Sequence, residues 1–300
     1  MYVIFGATGH VGSVIANKLL LQGEKIRVLG RKVETLSALA NKGAEAFSVD
    51  VMDRVSLAEP LSGARAAFLM IPPSLTSEDY RRDQEIMGES IAAAVEKSKL
   101  QYAVVLSSIG AQAPSGTGPI AGLHSFEEKL NRISSLNVLY LRAGFFMENH
   151  LMAIPTIKIM GVLGTGWRPD VPVPQIAARD IGEYAAQRLL NLDFAGKQIR
   201  ELLGPRDVTL QESTVIIGKA IGKPDLPYVQ FSYDQVQQAL TSMGVPAKSA
   251  ASLVEMYRGA NEGLVVHQEP RSPVNTTPTS LETFVQEVFV PAYRGKSATA

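Results

Sequence analysis

Short apolar runs alternate with helical patterns through the first half of the chain. The runs at 1–5, 26–30, 45–49, 65–71, 102–108 and 137–142 consist mostly of Val, Ile, Leu, Phe and Ala. Near-continuous apolar runs of this length predict strands covered on both faces. Between them, Val11, Val14, Ile15 and Leu19 recur at helical spacing, as do Ile86, Ile91 and Val95. Repeated strand–helix–strand units predict an α/β fold, a doubly wound parallel Rossmann sheet with right-handed crossovers. After about residue 150 the rhythm loosens. Residues 161–177 carry three prolines and three glycines and read as an irregular segment. Helices are expected at 179–192, 209–221, 233–243, 247–264 and 280–290. A strand is expected near 226–231, a polar loop over 266–279, and a frayed tail from Gly295 onward.

One loop carries the first chemical signal. Phe5-Gly6-Ala7-Thr8-Gly9-His10-Val11-Gly12 joins the first strand directly to the first helix. Gly6 would permit a sharp turn, Gly9 a close backbone approach to a pyrophosphate, and Gly12 tight packing of helix on sheet. The helix N-terminus would then offer free N–H groups and partial positive charge to phosphates. Thr8 would add a hydroxyl donor, and His10 and Val11 would line the loop. Three glycines at this spacing also make an ordinary tight turn; the position on the first strand of a βα series favours the dinucleotide reading. We therefore expect a dinucleotide-binding domain over 1–152, with helix 179–192 packing back on it. A smaller, mainly helical substrate or cap lobe would follow over 153–300.

The end of the second strand sharpens the cofactor. Asp or Glu is expected there in an NAD site, to hold the ribose 2′-hydroxyl. The chain instead reads Gly30-Arg31-Lys32. Arg31 would grip a 2′-phosphate through its planar fork, with Lys32 beside it, so NADP(H) is expected over NAD. Asp50 and Val51 at the third strand end would flank the adenine. Ile71-Pro72-Pro73 at the fourth would meet the ribose and nicotinamide, and Ser107-Ser108 at the fifth would lie near the reacting end.

Composition removes several alternatives. The 300 residues contain no cysteine, which excludes disulfides, thiolate catalysis and Cys-based zinc sites. The four histidines are scattered without ligand spacing, so no metal site is expected. A formal net charge of zero offers no field for a nucleic acid. No apolar run nears the roughly 18 residues needed to span a bilayer. With strand-like residues at the very start, no signal peptide and a cytoplasmic location are expected. Neither oligomeric state, monomer or homodimer, is favoured.

Several segments together resemble the NmrA-like family, an atypical branch of the short-chain dehydrogenase/reductases. They are Gly6–Gly12, Gly30-Arg31, Ser107-Ser108 and Leu141-Arg142-Ala143-Gly144-Phe145-Phe146-Met147-Glu148-Asn149. Within that family the chain is most similar to the NAD(P)H-dependent quinone reductases and their triphenylmethane or azo-dye reductase relatives. The wider superfamily uses a Tyr with a Lys four residues later, the Tyr donating a proton to a carbonyl. None of the nine tyrosines here has that Lys. Lys129 stands where the lysine is expected, with Ser125 in the tyrosine's place and His124 one residue before. The resemblance implies a contact from Lys129 to ribose or nicotinamide. His124 is either a proton donor or the partner of a local hydrogen bond. Phe145, Phe146, Met147 and Trp167 are candidate walls of a flat pocket, or core between the lobes.

Two readings follow. The first is an NADPH-dependent oxidoreductase that passes hydride to a small quinone or similar aromatic or dye acceptor without a Tyr–Lys pair. The second is an NADP(H)-binding redox sensor or regulator without turnover, with a protein partner.

Overall fold

The computed structural model describes residues 1–295; the expected tail from Lys296 on lies outside the described residues. Twelve strands form: β1 Tyr2–Ile4, β2 Ile26–Gly30, β3 Glu45–Ser48, β4 Ala66–Leu69, β5 Tyr102–Ser108, β6 Asn137–Ala143, β7 Phe145–Phe146, β8 Leu163–Thr165, β9 Val173–Ile176, β10 Lys197–Leu202, β11 Asp207–Val208 and β12 Tyr228–Gln230. The α-helices are α1 His10–Leu21, α2 Ser37–Ala40, α3 Ala58–Leu61, α4 Tyr80–Ser98, α5 Pro119–Asn131, α6 Ile154–Met160, α7 Ala178–Asn191, α8 Leu210–Ala220, α9 Tyr233–Ser242, α10 Ala247–Asn261, α11 Leu281–Phe284 and α12 Val290–Tyr293.

Seven strands build one parallel sheet in the order β10-β6-β5-β4-β1-β2-β3. The order reverses between β1 and β4, which is where a doubly wound sheet opens a crevice at its strand ends. The apolar runs are buried from both sides. Ile4, Val28, Phe68 and Leu141 pack under α1 and α7. Val3, Leu69, Val105 and Tyr140 pack under α3, α4 and α5. The chain is thus an α/β doubly wound protein, as its periodicity predicts.

The second half departs from the expected division at residue 152. Helix α7 lies against α1, and β10 also returns to the sheet and pairs in parallel with β6. Its sequence, Lys-Gln-Ile-Arg-Glu-Leu, keeps four polar residues among two apolar ones because this strand is a sheet edge. It therefore lacks the continuous run by which the five inner strands are legible. The irregular segment 161–177 contains two short strands. β8 pairs with β12, and β9 joins β7 and β11. Of the remaining helices, α6, α8, α11 and α12 pack around Met147, Ile157, Ile217, Phe284 and Phe289 to make the second lobe, while α9 and α10 pack on each other and α10 also lies against α4 and α5. Two of them start with a reciprocal capping box, Thr209 with Glu212 and Ser232 with Gln235. The expected helix 280–290 passes through a π-turn at Val285–Phe289 and runs on to Tyr293.

Candidate functional site

The glycine loop leaves β1 with Gly6 in the left-handed region, φ 61°. Gly9 caps α1 with no side chain over the first helical amides. A Cβ on Gly12 would lie 2.2 Å from the Gly6 carbonyl oxygen, so only glycine lets the helix approach its own entry loop this closely. Thr8 and His10 are exposed at the mouth, whereas the Val11 side chain sinks into the core beneath α1. The result is a backbone cradle with free N–H donors at a helix N-terminus.

Arg31 and Lys32 are exposed just beyond β2. Among the described residues neither forms an ion pair. Arg31 borders a cavity of roughly 320 Å³ with Ser48, Val49 and Asp50. The Ser48 hydroxyl donates to the Arg31 carbonyl at 3.0 Å and holds the two strand ends together. Asp50 closes a local turn by accepting the Met52 amide at 2.9 Å. Val51 follows it, half-buried. Arg31 and Asp50, read separately from the sequence, thus share one cavity.

At the other end of the crevice the side chains divide. Ile71 is buried, with Pro72 and Pro73 progressively more exposed. A Cβ on Gly88 would touch both Lys129 Cδ and Ile71 Cδ1, which puts the lysine stem beside the β4 end. Lys129 Nζ pairs with Glu85 of α4 at 2.5 Å, and Arg81 reaches the same carboxylate at 3.5 Å. Burial pulls the Glu85 carboxyl up, but hydrogen bonds from Lys129 and Ser125 and the charges of Lys129 and Arg81 together outweigh it and hold the group below the ordinary Glu range. His124 leaves α5 in another direction. Five positions from Lys129, it is rotated about 140° around the helix. Its Nδ1 lies 2.8 Å from the Ala111 carbonyl, which can only accept, so Nδ1 carries the proton. Nε2 then faces a cavity between α5 and β10. The structure does not bring His124 and Lys129 together.

Ser107 is also turned away from the crevice. Buried, it donates to Glu127 Oε1 at 2.5 Å. Glu127 in turn receives Arg142 through Nε at 3.1 Å and Nη2 at 2.6 Å. Ser108 donates to the Ile109 carbonyl. The four aromatic-pocket candidates separate too. Phe145 and Trp167 meet edge to face at 5.5 Å, with Tyr257 of α10 against the far side of Trp167 at 6.1 Å. Trp167 Nε1 is buried without a protein partner. Phe146 packs toward the sheet, and Met147 is core of the second lobe.

Four residues here were given no role by the sequence: Glu85, Glu127, Arg142 and Glu148. The Glu148 carboxylate accepts the Ala178 amide with both oxygens, at 3.0 and 3.1 Å, and so caps α7. Burial raises its pKa, and the charge of His10 across the loop works in the opposite sense. Two of the four had a signal. Arg142 is a charge inside an apolar strand, and Glu127 occupies an apolar-face position between Leu123 and Leu130. Such charges need partners. Among the described residues no cluster fit to hold a metal is present, and no helix is long and apolar enough to cross a membrane.

Comparison with known proteins places this geometry among relatives. A profile of the NmrA-like family matches residues 2–285. An NAD(P)H azoreductase of Xenophilus azovorans is 27% identical over 263 residues, which covers 86% of this chain and 86% of that protein. Quinone oxidoreductase 2 of Escherichia coli is 26% identical over 265 residues, 88% of this chain and 89% of its own length. The crystal structure of an NADPH-dependent quinone oxidoreductase from Escherichia coli complexed with NADPH has a TM-score of 0.80 at 23% identity. It covers 96% of this chain and 100% of its own, and the likeness is one of fold.

Proposed function

The chain belongs to the NmrA-like family, and on that premise we propose that it is an NADPH-dependent reductase of quinones or similar flat aromatic acceptors. The observation that carries the cofactor half is the glycine cradle with a free guanidinium at its far side. Gly6–Gly12 fit a pyrophosphate because the α1 amides are uncapped and a Cβ at Gly12 is excluded. Arg31 fits a 2′-phosphate because it forms no ion pair among the described residues and an acid is missing from the β2 end. Asp50 and Val51 would border the adenine. Ile71, Pro72 and Lys129 would border the reactive half, Lys129 exchanging Glu85 for ribose hydroxyls. When bound, NADPH would supply a hydride.

The acceptor half rests on what the crevice lacks. Ser125 stands four residues before Lys129, where a proton-donating Tyr would be needed for simple ketones. His124 points to the other flank of α5. The acceptor must therefore be one whose reduced form needs no acid at the moment of transfer: a quinone, which gives a delocalised anion, or a dye. Half-buried Phe145 suits the flat face of such a ring, whereas Trp167 is core behind it. The names of the azoreductase and quinone oxidoreductase relatives support the same acceptor class. The test is loss of NADPH absorbance on addition of benzoquinones, azo dyes and cationic triphenylmethane dyes. We expect acceleration with at least one class. Tight NADPH binding with no acceleration across the panel would overturn the reductase and leave an NADP(H)-binding regulator.

A further inference from the structure

The register of β10 on β6 creates a second pocket. Lys197, Ile199 and Glu201 pair with Val138, Tyr140 and Arg142, so all six face the side on which α5 lies. Helix α5 covers β6, but no helix follows to cover the same face of β10. The gap is a cavity of about 300 Å³, floored by Tyr140, Arg142, Lys197 and Ile199 and walled by His124 and Glu127. It lies on the flank of α5 opposite Lys129.

Nearly every polar group around it is already engaged. Lys197 Nζ donates to the carbonyls of Ile133 and Leu136 at 2.8 and 2.6 Å, closing the end of α5. The Tyr140 hydroxyl bonds to Asn131 Oδ1 at 2.8 Å, and the Asn131 amide donates to Glu128. The Gln112 amide bridges Gly110 and Val266. Glu127 is filled by Ser107 and by two nitrogens of Arg142. Glu201, outside the lining at the upper end, accepts the Gln268 and Glu269 amides with Oε2 alone, and its buried Oε1 has no partner among the described residues. Within the lining itself two groups are left. Arg142 Nη1 has no partner among the described residues, on a side chain only 9% exposed. His124 Nε2 is likewise free, its ring fixed by the bond from Nδ1 to Ala111.

We propose that this cavity binds the carboxylate of a small organic acid. One oxygen would accept from Arg142 Nη1, the one guanidinium nitrogen that Glu127 does not engage. The other would accept from His124 Nε2, which takes up a proton on binding. The charges facing the cavity balance without the ligand: Arg142 and Lys197 against Glu127 and exposed Glu128, with Glu201 beyond them held by backbone amides. The anion and the imidazolium therefore enter as a neutral pair. A multiply charged phosphate would leave Glu127 and Glu128 uncompensated. The ring of Tyr140 and the side chain of Ile199 suit an apolar body, and the volume admits a single ring.

The probe is benzoate, titrated into the full-length protein while the histidine ring protons are followed by NMR; the His124 signal is assigned by its loss in His124→Gln. We expect a saturable shift at His124 and at least about tenfold weaker binding of neutral benzamide. Ile199→Trp, at a half-exposed edge position, should fill the cavity and abolish the shift while the protein stays folded. Equal binding of benzoate and benzamide would overturn the proposal. So would a benzoate shift that survives Ile199→Trp, or the lack of any saturable shift.

Discussion

The dinucleotide end and the flank of α5 are built by opposite means. At the first, backbone does the work. Twelve consecutive residues form a strand, a turn and a helix start, and the functional groups are amides that every residue carries. At the second, side chains from four elements meet: Ser107 of β5, Glu127 and His124 of α5, Arg142 of β6 and Lys197 of β10. The second lobe repeats that construction. His150 bonds to Gln175 of β9, which reaches Ser213 of α8. A backbone site tolerates changes of chemistry at most of its positions but not a change of shape. A side-chain network tolerates shape and fails when one partner is removed.

That difference is open to direct attack. The largest effect should come from Arg142→Met, which strands the Glu127 carboxylate in the core. We expect a loss of about 3–5 kcal/mol in chemical denaturation. The double variant Glu127→Leu/Arg142→Met should regain most of it. If the double variant is no more stable than the single, the pair is not the unit described here. At the backbone site, Gly12→Ala should cost about 3 kcal/mol, because the added methyl meets the Gly6 carbonyl rather than a yielding side chain. Calorimetry should show a lowered Tm together with lost NADPH binding. Thr8→Ala should change neither by more than a small fraction of that.

His150 tests the second lobe through pH. Burial lowers its pKa from 6.5 to about 4, against a smaller opposing contribution from the Gln175 hydrogen bond. The unfolded chain therefore binds the proton first. The stability of the neutral, buried ring is complete above pH 6.5 and is lost as pH falls toward 4. By linkage that window carries about 3 kcal/mol. Urea denaturation at stepped pH should show the wild type falling faster than His150→Gln across the window. Parallel curves would mean that the ring is not held neutral.

The same contrast explains what could be read from the sequence. Strands β1, β2, β4, β5 and β6 were legible because burial on both faces writes a continuous apolar run, and the glycine loop because close packing excludes a Cβ at Gly12. Arg31 and Asp50 followed from topology, which fixes where strand ends point. β10 was not legible, since an edge strand keeps polar residues. The directions of His124, Lys129 and Ser107 were not legible either. Sequence spacing places them on or beside α5, but only tertiary packing decides which neighbour each one meets. Lys129 met Glu85, Ser107 met Glu127, and His124 met a backbone carbonyl.

The central claim is that the cradle and Arg31 together select NADPH, and fluorescence titration of the purified protein with NADPH and NADH tests it most directly. We predict that NADPH binds at least about tenfold more tightly, and that Arg31→Ala removes most of that preference while leaving NADH affinity nearly unchanged. Equal affinities in the wild type, or a preference that survives Arg31→Ala, would contradict the account.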